Sequence, residues 1–149
     1  MHTGGETAVI EALRQQVECY RRLARLSEAQ HEHVRHGRTD CLLDILRQRQ
    51  EELDRIAALE SDVAPVRRNW QHYLASLDAA RRALVEGLMV ETRMLLERIT
   101  AGDRDDALVL QQQKLSVGGE MARAAAGIRA GRQYAPDPSR RQSTLDVQT

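Results

Sequence analysis

The chain has 149 residues, 42% of them apolar and 30% charged, which is typical of a single domain that folds around its own core. Phe is absent and the aromatic residues are one Trp and three Tyr, so the core must be aliphatic, which favours packed helices over a sheet. The 22 basic and 22 acidic side chains balance and are interleaved along the chain. This balance argues against the basic face that nucleic-acid binding requires.

Neither a secretion signal nor a membrane span is predicted. Residues 1–6 lack the basic and apolar regions of a signal peptide. No apolar run approaches the roughly 18 residues expected of a membrane-spanning helix. We therefore expect a cytoplasmic protein without stable membrane insertion, in which Cys19 and Cys41 stay reduced.

Apolar residues at steps of three and four predict a first helix over residues 7–36. Its end is marked by Gly37, because glycine readily adopts the positive φ of a helix C-terminus. Thr39 or Asp40 is then placed to cap a second helix over residues 40–61. These two helices form a predicted αα-hairpin.

Pro65 is expected to start a third helix over residues 65–100, because proline is tolerated in a first turn and disrupts a helix interior. A kinked continuation of the second helix through Pro65 is the alternative. A turn around Gly102 then leads to a weaker fourth helix over residues 104–131. Gly102 repeats the pattern around Gly37, a helix followed by glycine and then by aspartate, which predicts a second hairpin.

The predicted fold is all-α. Residues 1–131 are expected to form an elongated antiparallel bundle of two αα-hairpins, about four helices in all. Residues 132–149 contain Pro136 and Pro138 and show no apolar periodicity, which predicts a flexible tail.

The histidines near the first turn are the side chains that most resemble a metal site in this sequence. Residues two apart on a helix point about 200° away from each other, so His31 and His33 cannot share an ion, and only His33 and His36 could. The alternative is that these imidazoles lie at a helix C-terminus and bind nothing. A bundle enzyme or metal carrier that used His33 and His36 would retain zinc or nickel after purification.

No other motif indicates chemistry. Cys19 and Cys41 are separated by on the order of 20 Å in the predicted hairpin, which is too far for a disulfide. The carboxylates of Glu51, Glu52 and residues 103–106 are assigned to helix capping and solvation. The chain has no phosphate-cradling glycine loop, no serine nucleophile on a glycine-flanked turn and no HExxH pair. We therefore expect no catalysis and no cofactor.

The fourth predicted helix departs from the pattern of the others. Each interior glycine costs a helix about 1 kcal/mol relative to alanine, so this helix should be marginal unless something packs on it. Its glycines are Gly118, Gly119, Gly127 and Gly131. Two interpretations stay open: the small residues contact the protein's own helices, or the segment becomes ordered against a partner.

Several features occur together over most of the chain. An amphipathic helix ends in residues 35–40 (Arg-His-Gly-Arg-Thr-Asp), and the next helix, centred on Leu43, contains residues 47–54 (Arg-Gln-Arg-Gln-Glu-Glu-Leu-Asp). A long third helix follows. The chain closes with residues 134–138 (Tyr-Ala-Pro-Asp-Pro) and then 145–147 (Leu-Asp-Val). In these features the chain resembles the FlgN family of flagellar type III export chaperones.

The resemblance implies a cytoplasmic chaperone that holds hook–filament junction proteins unassembled and delivers them to the export gate. It implies that the client binds to the C-terminal region and that a tyrosine near the end of that region docks on the gate. Tyr134 corresponds to this tyrosine. An export chaperone of this kind is expected to be a monomer or weak homodimer with a protease-sensitive end.

The fourth predicted helix suits client binding on physical grounds. A marginal helix offers apolar side chains whose ordering cost limits affinity, so that a client can be covered and later released. The expected client-facing strip is Leu108, Leu115, Met121 and Ile128. Tyr134, just beyond, is either a docking anchor or the last packing residue.

A second hypothesis belongs to a different class of protein. The long third helix could make the chain a structural or regulatory coiled-coil protein that associates with itself. This hypothesis predicts a stable homodimer and a fourth helix that is ordered without any client.

Overall fold

The computed structural model describes residues 2–133. Four helices follow one another: α1 is His2–Arg35, α2 is Thr39–Arg67, α3 is Trp70–Ser76 and α4 is Ala79–Gln133. The prediction of an all-α helical bundle is confirmed. Within the described range, no helix combines the length and the hydropathy of a membrane span.

The chain divides into two compact units, Met1–Ala107 and Leu108–Thr149. The first unit, called the bundle below, contains α1, α2, α3 and the beginning of α4. The described part of the second unit is the rest of α4, residues 108–133, called the C-terminal segment below.

α1 and α2 form an antiparallel pair. They are joined at Gly37, whose φ of 66° lies in the left-handed region that favours glycine. The Gln16 amide donates to the Glu60 carboxylate at 2.9 Å, and the Arg22 guanidinium donates to Glu52 at 2.9 Å. Because the partner numbers fall as the α1 numbers rise, the two helices run in opposite directions. The predicted turn at Gly37 is present.

Within the bundle, α4 runs parallel to α1. Arg81 pairs with Glu6 at 3.3 Å near the start of both helices, and Arg21 donates to Glu91 at 2.6 Å further along. The partner numbers rise together, so the helices share a direction. The bundle is therefore built on three long helical stretches, with the short α3 connecting α2 to α4.

Two clusters of buried side chains hold the bundle together. The first joins all four helices: Val9, Ile10, Ala12, Leu13, Val63, Tyr73, Leu77 and Val85. The second joins α1 and α4: Val17, Leu23, Ala24, Leu95 and Ile99. Full burial of a large aliphatic side chain contributes about 1.5–3 kcal/mol, so these clusters are the main source of stability. Apart from Tyr73, the core is aliphatic, as the composition predicts.

The second helix differs from the prediction at both ends. It begins at Thr39, so the residue at the N-cap position is Arg38, whose side chain makes no capping hydrogen bond. Thr39 and Asp40 lie inside the helix, and the prediction that one of them caps it was wrong. It also continues through Pro65, which was the alternative to a new helix there. Proline removes one backbone hydrogen bond, but the neighbouring Val63 is completely buried and holds this turn of the helix against the core.

The predicted third helix is interrupted at residues 77–78. Leu77 has an extended backbone and is buried in the first cluster. Asp78 follows it and accepts a hydrogen bond from the Arg81 backbone N–H through Oδ1 at 2.8 Å. This is the geometry of an N-cap, and it starts α4 at Ala79.

The turn predicted at residues 100–103 is absent, because α4 passes through Gly102 as a continuous helix. A Cβ atom at position 102 would lie 3.3 Å from the Ser27 Oγ of α1. Gly102 therefore allows two helices to approach closely and does not end one. The helix boundary between residues 100 and 104 was wrong for this reason.

Candidate protein-binding surface

The C-terminal segment exposes large apolar side chains. The exposed fractions are 60% for Leu108, 68% for Leu115, 61% for Met121 and 50% for Ile128. These are the residues predicted to face a client. Their exposure leaves apolar surface available to another molecule, and whether a client uses it stays a prediction.

Helical geometry places these residues on two faces. At about 100° per residue, Leu108 and Leu115 lie within about 20° of each other, whereas Met121 lies about 140° away from Leu108 around the helix. Ile128 lies beside Met121. One straight client helix could therefore contact one pair at a time, and the single strip expected from the sequence was wrong in its geometry.

The glycines of this segment are not explained by close packing. A Cβ atom at Gly118, Gly119 or Gly127 would meet no atom within 4 Å. The interpretation that these small residues contact the protein's own helices therefore has no support at these three positions. Each of them weakens the helix by about 1 kcal/mol relative to alanine.

Tyr134, the residue expected to dock on an export gate, lies outside the described residues. Its predicted role as a docking anchor or as a packing residue therefore stays open.

A polar network lies in the bundle just before the C-terminal segment. Asp106 lies on the buried side of α4 and is only 1% exposed, which is unusual for a charged side chain. Its carboxylate accepts hydrogen bonds from the Gln30 amide at 3.1 Å and from the His31 Nδ1 at 2.6 Å, both on α1. Both carboxylate oxygens thus have partners, which offsets the unfavourable burial of a charge.

Arg49 extends this network to α2. It donates two hydrogen bonds of 2.8 Å to the carboxylate of Asp103 and one of 2.6 Å to the Gln30 amide oxygen. The hydrogen bond and charge of Asp103 raise the pKa of Arg49. The network therefore ties together α1, α2 and α4 at the end of the bundle.

Sequence reasoning missed this network, because it assigned the carboxylates of residues 103–106 to capping and solvent. A signal was present. Leu95, Ile99, Gly102 and Asp106 follow one another at steps of four, three and four residues, so that Asp106 continues the buried side of α4. A charge at such a position indicates a buried partner rather than a helix cap.

Glu52 was also expected to face solvent, and it is buried on α2. Arg22 donates to it at 2.9 Å and Arg55 at 2.5 Å. Arg22 also donates to the Cys19 sulfur at 3.3 Å. Burial raises the pKa of the Cys19 thiol, and the neighbouring carboxylate of Glu52 raises it further. Such a thiol is poorly suited to nucleophilic chemistry, because the reactive form is the thiolate.

The histidines near the first turn do not assemble into a metal site. His31 is paired with Asp106, and the His36 Nδ1 donates to the Glu32 carbonyl oxygen at 2.8 Å. The His33 Nδ1 is buried without a hydrogen-bond partner. Among the residues that the structure describes, no three His, Cys, Asp or Glu side chains are placed to hold one metal ion.

Comparison with protein-family models, with curated proteins and with solved structures gives no match.

Proposed function

We propose that this protein is a non-enzymatic export chaperone of the FlgN type. In this role it binds hook–filament junction proteins in the cytoplasm and delivers them to the export gate. The C-terminal segment binds the client, and Tyr134 docks on the gate. The sequence resemblance described above is the source of the flagellar assignment.

The observation that supports client binding is the exposure of Leu108, Leu115, Met121 and Ile128 on one helix. Large apolar side chains that stay exposed on a helix favour a protein-binding surface, here with Leu108 and Leu115 on one face and Met121 and Ile128 on another. The unpacked glycines among them lower the stability of the helix, so part of the binding energy is spent on ordering it. A client held in this way can be released without a chemical step.

A self-associating coiled-coil protein is the second proposal. The 55-residue length of α4 favours it, because long helices are common in coiled coils. It predicts a tight homodimer and no affinity for export clients. The export-chaperone proposal predicts client binding by a monomer or by a weak dimer.

The first test is hydrogen–deuterium exchange on the purified chain, alone and with hook–filament junction proteins encoded in the same genome. We expect residues 104–134 to become selectively protected on mixing, because a client would order this stretch. Leu115→Asp should reduce the protection strongly. Leu53→Asp is the matched control, since Leu53 is an exposed leucine of α2 further from the end of the bundle that adjoins the C-terminal segment.

The controls separate this proposal from its alternatives. A chain lacking residues 108–149 should stay helical and lose client binding. If that shortened chain binds junction proteins as well as the full chain does, the C-terminal segment is not the client site. If the full chain shows slow exchange in residues 104–134 from the start and no junction protein changes it, the coiled-coil proposal is preferred.

A further inference from the structure

A cleft of about 420 Å³ lies between α1 and α4 in the bundle. The residues at its base are small and largely buried, and they include Ala24, Ser27 and Gly102. The residues at its rims are exposed and charged. Every lining residue precedes Leu108, so the cleft belongs to the bundle alone.

The hydroxyl group of Ser27 at the base of the cleft is buried without a hydrogen bond. The residue is only 4% exposed. Ser76 and Thr92 each donate to a carbonyl oxygen one turn earlier in their own helix, but Ser27 makes no such bond within residues 2–133. Its Oγ is directed toward α4, because a Cβ atom at Gly102 would lie 3.3 Å from it. A buried polar group without a partner is unfavourable, so a ligand that bonds to this hydroxyl gains affinity.

His31 adds a second polar group to the cleft, one turn after Ser27 on α1. Its Nδ1 lies 2.6 Å from one oxygen of the buried Asp106, whose other oxygen accepts a hydrogen bond from Gln30. An ionised carboxylate only accepts hydrogen bonds, so the hydrogen of the contact with His31 is on Nδ1. In the neutral imidazole, Nε2 is then an acceptor. The base of the cleft therefore offers two acceptors, and Asp106 fixes the imidazole ring of one of them from behind.

Negative charges outnumber positive ones among the side chains that line the cleft. Glu28, Glu32 and Asp105 line it together with Arg98, which is paired with Glu28. The partner of Glu32 is the exposed His36 at 3.7 Å, which is charged only when protonated. Asp105 forms no ion pair with any residue that the structure describes. Two carboxylates are thus left without a permanent countercharge, which favours a cationic ligand.

We propose that this cleft binds a primary ammonium group at the end of an alkyl chain. The ammonium donates hydrogen bonds to the Ser27 Oγ and to the His31 Nε2. The carboxylates of Glu32 and Asp105 at the two rims supply the countercharge. This inference does not rest on the proposed chaperone function, because it involves neither a client nor the C-terminal segment.

Two other kinds of cation fit the cleft less well. A metal ion needs several ligands at fixed distances, and no three His, Cys, Asp or Glu side chains within the described part of the chain are placed to hold one. A guanidinium is a broad, flat group with five N–H donors. The Ser27 hydroxyl is reached only through a narrow opening opposite Gly102, which suits the compact ammonium with its three donors.

Titration of the full chain with n-butylamine, followed by two-dimensional proton–nitrogen NMR, tests the proposal. This amine reproduces the lysine side chain without its backbone. We expect saturable shifts of the backbone signals of Ser27 and Gly102, with a dissociation constant on the order of 1–10 mM for so small a ligand. The uncharged n-butanol has the same chain length and should cause no saturable shift.

Substitutions in the cleft give the second readout. Asp105→Asn and Ser27→Ala should each weaken the binding of n-butylamine at least about threefold, because each removes one partner of the ammonium. Asp62→Asn makes the same change of charge at an exposed position of α2 and should have no effect. Circular dichroism checks that each variant keeps its helical content. Shifts that do not saturate, an equal response to n-butanol, or binding that is insensitive to both cleft substitutions would overturn the proposal.

Two further titrations distinguish the sources of the ammonium group, a lysine side chain of another protein and a free polyamine. Nα-acetyl-lysine methylamide represents the first and spermidine the second. Tighter binding of the lysine derivative than of spermidine supports the site with a protein lysine as its ligand. The reverse order supports it with a polyamine as its ligand. Failure of both compounds to shift the signals of Ser27 and Gly102 would overturn the proposal.

Discussion

The carboxylate of Glu52 is buried where α1 packs on α2, beside Arg22 and Arg55. Burial alone would raise the pKa of Glu52, but the hydrogen bond and charge of Arg22, with the charge of Arg55, lower it below its ordinary value of 4.5. A group whose pKa is lowered by folding stabilises the folded state at pH values above its unfolded pKa. That stabilisation is lost as the pH falls through the folded-state pKa.

The substitution Glu52→Gln tests whether the charge of Glu52 stabilises the folded state. Near neutral pH we expect the free energy of unfolding to fall by about 1 kcal/mol, since both arginines are partly exposed and water screens part of the interaction. Between about pH 5 and about pH 3, stability should fall less steeply for the variant than for the original chain. Urea unfolding at several pH values measures both effects.

The matched control for this substitution is Glu51→Gln. Glu51 is the exposed neighbour of Glu52 and pairs with Arg47 only on the surface. The substitution Glu51→Gln should change the free energy of unfolding by no more than a few tenths of a kcal/mol at any of these pH values. Equal acid sensitivity of the two variants would show that the burial of Glu52 has no thermodynamic consequence.

At the scale of one helix, the glycines of α4 fall into two kinds. A Cβ atom added at Gly87 would meet nothing within 4 Å, whereas one at Gly102 would lie 3.3 Å from the Ser27 Oγ. Packing between helices therefore explains a glycine at position 102, but it does not explain one at position 87. The same substitution at the two positions separates helix propensity from contact.

Gly87→Ala should raise the free energy of unfolding by about 1 kcal/mol, because alanine forms helix better and the site has room. Gly102→Ala should give a smaller gain or a loss, since the new methyl group displaces Ser27. Ser27→Ala combined with Gly102→Ala should recover part of the difference. Urea unfolding of the original chain, the two single glycine variants and the double variant measures these free energies. Equal gains at both glycines would contradict a close approach of α1 and α4 at Gly102.

The two glycines Gly37 and Gly102 also show how far sequence pattern predicts helix boundaries. Both follow an amphipathic helix and precede an aspartate, and both were predicted to be turns. Only Gly37 is one, with positive φ. At Gly102 the helix continues, and the helix packed beside it contributes Ser27, which is 75 residues away in sequence and leaves no local signal. Pro65 is similar, because the burial of Val63 keeps its turn helical.

The candidate binding surface was predictable in part. The pattern of apolar residues gives the identity of the exposed side chains, such as Leu115 and Met121, but it does not distinguish a buried seam from an exposed one. The side of α4 that faces α1 is fixed by long-range partners such as Arg21 and Glu28.

At the scale of the whole molecule, burial ends where the bundle ends. Among the side chains that the structure describes, every buried one precedes Leu108, and Asp106 is the last. The hydrogen bonds from Arg49 to Asp103 and from His31 to Asp106 are the final ties between helices in the bundle. We therefore expect the bundle to fold without the C-terminal segment.

A chain ending at Ala107 should consequently unfold at nearly the same temperature as the full chain, while losing helical signal in proportion to the residues removed. A chain ending at Thr100 lacks Asp103 and Asp106, so Arg49, Gln30 and His31 lose their carboxylate partners. Lost partners of buried polar groups cost about 1–3 kcal/mol each, so its melting temperature should fall by roughly 10 °C or more. Thermal unfolding followed by circular dichroism compares the three chains.

A large loss of stability in the chain ending at Ala107 would mean that residues 108–149 contribute to the fold. A loss of client binding on their deletion would then no longer identify a binding site.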